Sequence, residues 1–134
     1  YLPGVGNIQP LICYEGIFPQ FVGHTDIRPD LLVLITNDAW FGKGQGPAQH
    51  FAQARARAIE LGLPMVRVAN RGVSTVIDGN GAYGASLQVD DAGFIDLAIP
   101  ASLPPTFFAK YPWVITFLMT LFLVSVALVK RPRI

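Results

Sequence analysis

Reactive and polar side chains stand together near the start of the sequence, in the run Ile12-Cys13-Tyr14-Glu15, and Cys13 is its only cysteine. A thiolate attacks esters and amides directly. A cysteine at a strand-to-helix turn sits near free N–H groups and the positive end of a helix, which favour the ionised sulfur. Leu11 and Ile12 read as the end of a short buried strand. Ile17, Phe18, Phe21 and Val22 fall on one face of a short helix over 14–22, with Pro19 weakening its interior. That layout parallels a nucleophile elbow, a sharp turn that presents the attacking atom while backbone N–H groups receive the developing oxyanion. The bland alternative is a small buried hydrophobe, the commonest role of a lone cysteine.

Two further groups of polar residues follow apolar runs. Residues 31–35 form an unbroken apolar stretch that suits a strand buried on both faces, and its end delivers Asn37, Asp38, Trp40 and Phe41. Ends of buried strands are where ligand-contacting side chains gather in layered α/β proteins. A turn or helix cap for Asn37 and Asp38, and core cover for Trp40 and Phe41, are the competing roles. Asn70 ends a strand over 65–69. Between these runs, Pro47 opens a helix over 48–61 whose Phe51, Ala54, Ala58 and Leu61 share a face, and Gly62 and Pro64 stop it. Arg55 and Arg57 lie off that face as solvated or paired charges. Residues 74–77 and 83–89 flank Asp78-Gly79-Asn80-Gly81 and predict a hairpin, with a last strand over 94–99.

The chain of 134 residues supports one modest domain. It is 51% hydrophobic and only 14% charged, with a mean hydropathy of +0.42, more apolar than an ordinary soluble domain. A net charge of +1 with scattered Lys and Arg gives no nucleic-acid footprint. One cysteine and the well-separated His24 and His50 make neither a disulfide nor a zinc site. No signal peptide is visible, and an opening of Tyr1-Leu2-Pro3-Gly4 predicts the C-terminal part of a longer protein. Residues 111–129 carry no charge over 19 positions, about 28 Å of helix against a hydrocarbon core of roughly 30 Å. The organisation expected is therefore a globular unit over 1–100, a linker over 101–110, a transmembrane helix over 111–129 and a basic tail over 130–134. The positive-inside rule places that tail in the cytoplasm and Cys13 on the outer face.

Four blocks occur in a fixed order: Ile12-Cys13-Tyr14-Glu15, then Ile35-Thr36-Asn37-Asp38-Ala39-Trp40-Phe41-Gly42, then Gly46-Pro47-Ala48-Gln49-His50-Phe51, then Arg67-Val68-Ala69-Asn70-Arg71-Gly72-Val73-Ser74. In these the chain resembles bacterial apolipoprotein N-acyltransferases, a membrane-embedded branch of the carbon-nitrogen hydrolase (nitrilase) superfamily. The resemblance implies the C-terminal half of a layered α/β (α+β) α-β-β-α sandwich, followed by the membrane helix. It implies acyl transfer from a phospholipid donor, through a thioester on Cys13, to the amino group of a diacylglyceryl apolipoprotein. Tyr14 and Glu15 would support the site, and Asn37, Asp38, Trp40, Phe41 and Asn70 would line the substrate pocket. It implies no cofactor and no metal, membrane lipid as a partner, and a place in the bacterial inner membrane with the globular part periplasmic. The family's glutamate base and its lysine precede the cysteine, outside this stretch, which predicts an inactive fragment. The competing readings are a membrane-tethered nitrilase-like amidase, with water as acceptor, and a non-catalytic truncated remnant.

Overall fold

The computed structural model describes residues 1–23 and 25–129. Five strands form one mixed sheet in sequence order: β1 (Ile8–Ile12), β2 (Leu31–Asn37), β3 (Met65–Asn70), β4 (Ser74–Ile77) and β5 (Tyr83–Leu87). The first three run parallel, with Ile12 opposite Ile35 and Ile35 opposite Val68. The chain then turns back on itself, so β4 pairs antiparallel with β3 and β5 with β4, the hairpin expected from the Asp78 to Gly81 turn.

Alternation along the strands splits the sheet into two faces. Leu11, Leu32, Leu34, Met65 and Ile77 point one way and are buried against Ala54, Ala58 and Leu61 of α1 (Gly46–Leu61). The alanines let the helix axis approach the sheet closely. Gly62, at φ +65°, closes the helix in the left-handed conformation that a glycine adopts without a Cβ clash, its N–H reaching the carbonyls of Ala58 and Ile59. Arg57 pairs with Glu60 at 2.6 Å, and Arg55 donates to the Gly81 carbonyl, so both arginines are paired. Burial pushes the Glu60 carboxyl up from its ordinary range, with Arg57 pulling it back. The opposite sheet face carries an exposed apolar row, Ile12, Ile35 and Val68, lying side by side across three strands.

Four expectations change. His50, not Phe51, takes the inner place on α1: the buried stripe is His50, Ala54, Ala58 and Leu61, and Phe51 sits at its margin against Tyr83. The helix expected over 14–22 is only a 3-10 turn, Cys13–Ile17, because Pro19 forces Phe18 into an extended conformation. Residues 94–99 form no strand. The helix expected over 111–129 starts three residues later, at Val114, again because of a proline. Tyr111, at φ −137° and ψ 60°, precedes Pro112 and ends the short α2 (Phe107–Lys110), and α3 (Val114–Val129) begins beyond it with 16 residues. No helix among the described residues is long and apolar enough to cross a membrane. The large apolar side chains of α3, among them Phe117, Leu118, Leu121 and Phe122, are nonetheless exposed. The basic tail over 130–134 lies outside the described residues.

Candidate active site

Cys13 leaves the end of β1 at φ +53°, in the left-handed region that non-glycine residues seldom occupy. Such strain persists only where the surroundings hold it. One restraint is local: the Glu15 carboxylate accepts the N–H of Ile12 at 2.7 Å, tying the turn back onto the strand that feeds it. Another comes from α1, where Arg57 donates to the carbonyl of Ile17 at the far end of the turn. The thiol is half-buried at the rim of a hollow of about 680 Å³, lined by residues 9–15 with Phe18 and Phe21. Cys13 thus stands at a strand-to-turn junction, with Tyr14 and Glu15 in the same turn.

The end of β2 lies next to this turn, and the end of β3 lies beyond β2. Asn37 and Asn70 face each other in register, the Asn70 amide donating to Asn37 Oδ1 at 3.2 Å. Asn37 Oδ1 also accepts the N–H of Ala39 and so caps the 3-10 turn Asp38–Phe41. Both asparagines are exposed, and Trp40, 84% exposed, stands out into solvent. Phe41 folds back, its ring 5.8 Å from that of Tyr14, which brings the second sequence block against the first.

Asp38 is the exception among the expected pocket residues, being fully buried and out of reach of any substrate. Asp38 continues the inward phase of Leu32, Leu34 and Thr36 along β2, so its carboxylate lies on the inner face of the sheet. There Arg67 Nη2 donates to Oδ2 at 2.7 Å, His50 Nδ1 lies 2.9 Å from Oδ1, and the Thr36 hydroxyl donates to Oδ1 at 3.1 Å. Arg67 Nη1 reaches the Val73 carbonyl at 2.6 Å, and its guanidinium lies over the Phe51 ring. Sequence reasoning missed this cluster, although one signal was present. In Met65-Val66-Arg67-Val68 the arginine occupies the core-facing phase of the strand, and a charge there requires a buried partner of opposite sign.

Gly72 packs directly on the Asp38 carboxylate. A methyl group there would collide with that carboxylate and come within 2.9 Å of the Ala69 Cβ. Gly72→Ala is therefore expected to lower stability by about 1–3 kcal/mol, read as an earlier midpoint in a urea melt.

Sequence comparison gives the family of this mixed sheet with a cysteine on a strained turn beyond a strand end. Residues 1–103 match the carbon-nitrogen hydrolase family, and the chain belongs to it. Within that family it is similar to the apolipoprotein N-acyltransferases of Bradyrhizobium diazoefficiens, at 52% identity over 81% of this chain and 20% of that protein, and of Rhodopseudomonas palustris, at 46% over 98% and 25%. The same enzyme of Rickettsia bellii is 47% identical over 87% of this chain and 24% of its own length. The chain thus spans about a fifth to a quarter of the curated relatives it matches. Two solved structures share the fold. A carbon-nitrogen hydrolase from Helicobacter pylori superposes with a TM-score of 0.53 at 17% identity, over 63% of this chain and 37% of that one. An amidase from Nesterenkonia, in which acrylamide has added to the active-site cysteine, gives 0.56 at 19%, over 82% and 43%.

Proposed function

We propose that this segment carries the nucleophile of an apolipoprotein N-acyltransferase. The observation that carries the reading is the placement of Cys13, strained and open to an apolar hollow, in a chain about half identical to enzymes of that name. The Cys13 thiolate attacks the ester carbonyl of a phospholipid acyl chain. The tetrahedral adduct collapses with loss of the glycerol oxygen, which takes a proton and leaves as lysophospholipid. The free amine of a diacylglyceryl-cysteine apolipoprotein then attacks the thioester, forming an amide and releasing the thiol. The resemblance assigns the general base and the oxyanion-stabilising lysine to a glutamate and a lysine upstream of the cysteine, so the reaction belongs to the full-length protein and this segment alone is expected to be inactive. Tyr14 and Glu15 hold the elbow. Asn37, Asn70, Trp40 and Phe41 line the substrate pocket.

In the full-length protein the exposed apolar row of the sheet packs on a second sheet, giving the four-layer α-β-β-α sandwich. The exposed apolar surface of α3 supports seating residues 111–129 in the bilayer, with 130–134 on the cytoplasmic side and Cys13 on the outer face.

The test is mass spectrometry of the full-length protein after incubation with vesicles of phosphatidylethanolamine and phosphatidylglycerol, without acceptor. The expected result is a long-chain acyl adduct on the peptide bearing Cys13, discharged when an apolipoprotein amine is added. An unmodified Cys13 peptide under turnover would defeat the reading. Discharge by water at the same rate as by amine would instead make the enzyme an amidase-type hydrolase.

A further inference from the structure

The elbow and the buried charge cluster meet at one side chain. The His50 ring stacks on Tyr14, with centroids 5.9 Å apart and planes inclined by 21°, and Phe41 lies 5.1 Å from His50 and 5.8 Å from Tyr14. Tyr14 immediately follows Cys13, so the position of its ring bears on the peptide that holds Cys13 at positive φ. Below this stack, Asp38 is already held by Arg67 and Thr36. Nδ1 of His50 lies 2.9 Å from Asp38 Oδ1 and 3.3 Å from Arg67 Nη2, and these two fixed neighbours set the plane of the imidazole. His50 is 2% exposed and its Nε2 has no partner among the described residues. An aliphatic or phenyl side chain would fill this space without burying an unpaired nitrogen. What histidine adds is an orientation, transmitted from a fixed carboxylate to an aromatic face.

We propose that His50 is a positioning residue for the nucleophile: anchored by Asp38 and Arg67, its ring sets Tyr14, and Tyr14 with Glu15 keeps Cys13 in its strained, presenting conformation. The proposal rests on the reading of Cys13 as the nucleophile. His50 touches no substrate and transfers no proton in it.

The experiment is a double-mutant cycle in the full-length protein, scored by the rate of acyl-thioester formation on Cys13 from phosphatidylethanolamine and phosphatidylglycerol vesicles. His50→Gln and Tyr14→Leu are each expected to slow acylation at saturating lipid by about tenfold or more, with the half-saturating lipid concentration within about twofold of wild type. The double variant is expected to be no more than about twofold slower than the slower single variant, because the second change removes a link already broken. Slowing that multiplies in the double variant would overturn the proposal, since a purely structural loss adds independently. Acylation at the wild-type rate in His50→Gln would overturn it as well. His50→Phe, which keeps ring and volume but loses the bond to Asp38, runs the same cycle if His50→Gln does not fold; its expected loss is about threefold and is masked by Tyr14→Leu. Cys13→Ala is the separate control. Acyl transfer surviving in that variant would remove the nucleophile itself, whatever His50 does.

Discussion

Replacing Arg67 with leucine is expected to cost about 3–5 kcal/mol of stability. Arg67 is 1% exposed, and its side chain donates at 2.7 Å to Asp38 and at 2.6 Å to the Val73 carbonyl and lies 3.3 Å from His50 Nδ1. Leucine would leave the Asp38 carboxylate wholly buried with only Thr36 and His50 as donors, and would leave the Val73 carbonyl without this one. The transfer gain from burying a leucine is about 1.5–3 kcal/mol. It is outweighed by the uncompensated charge, and leucine also fills the site with a different shape. Arg67→Lys keeps the charge but cannot place two donors in a rigid fork, so its loss should be smaller, about 1–3 kcal/mol. The decisive comparison is the pair. Arg67→Leu combined with Asp38→Leu removes both charges, and much of the single-variant loss should return. Urea melts of the four proteins would check this. A double variant no more stable than Arg67→Leu would mean that the site depends on its packing shape rather than on charge balance.

The same cluster explains what could and could not be read from the sequence. The strands over 31–35 and 65–69 were legible from their short, mostly apolar sequences, but 31–35 is not buried on both faces here, since Ile35 is 57% exposed. The hairpin was legible because Asp78-Gly79-Asn80-Gly81 has the turn residues it needs. The turn at Cys13 was legible, but its positive φ was not, since nothing in Ile12-Cys13-Tyr14 requires it; the local bond from Ile12 to Glu15 and the tertiary contacts of Tyr14 and Arg57 surround it. Asp38 was misplaced by one step of reasoning. A polar residue after a strand end is ordinarily a cap or a ligand contact, but Asp38 keeps the phase of Leu32, Leu34 and Thr36, the buried face of β2. His50 was hidden because a helical stripe through Ala54, Ala58 and Leu61 can be extended by residue 50 or 51, and hydrophobicity favours Phe51. Only the buried acid beneath it makes histidine the better occupant. The helix over 111–129 was over-extended because hydropathy alone ignores the restriction that Pro112 places on Tyr111.

Cys13 allows a test in which chemistry and stability move in opposite directions. Cys13→Ala and Cys13→Gly both remove the sulfur, and acyl transfer by the full-length protein should fall in each by about 10³-fold or more, to the background left when a covalent nucleophile is deleted. Their stabilities should differ. Alanine inherits the φ of +53° and its Cβ clash, a penalty of about 1–2 kcal/mol for an L-residue in this region. Glycine escapes that penalty but makes the unfolded chain more flexible, at a cost of roughly 0.5–1 kcal/mol. The balance favours the glycine variant by about 0.5–1 kcal/mol over alanine, from the difference of those two effects. At an unstrained position the sign would be reversed, because only the entropy cost would remain. Paired thermal melts would decide it, with the acyl adduct on the wild-type protein as reference. A glycine variant that melts below the alanine variant would show that the elbow stores no strain, and the restraints from Tyr14, Glu15 and Arg57 would then have nothing to hold.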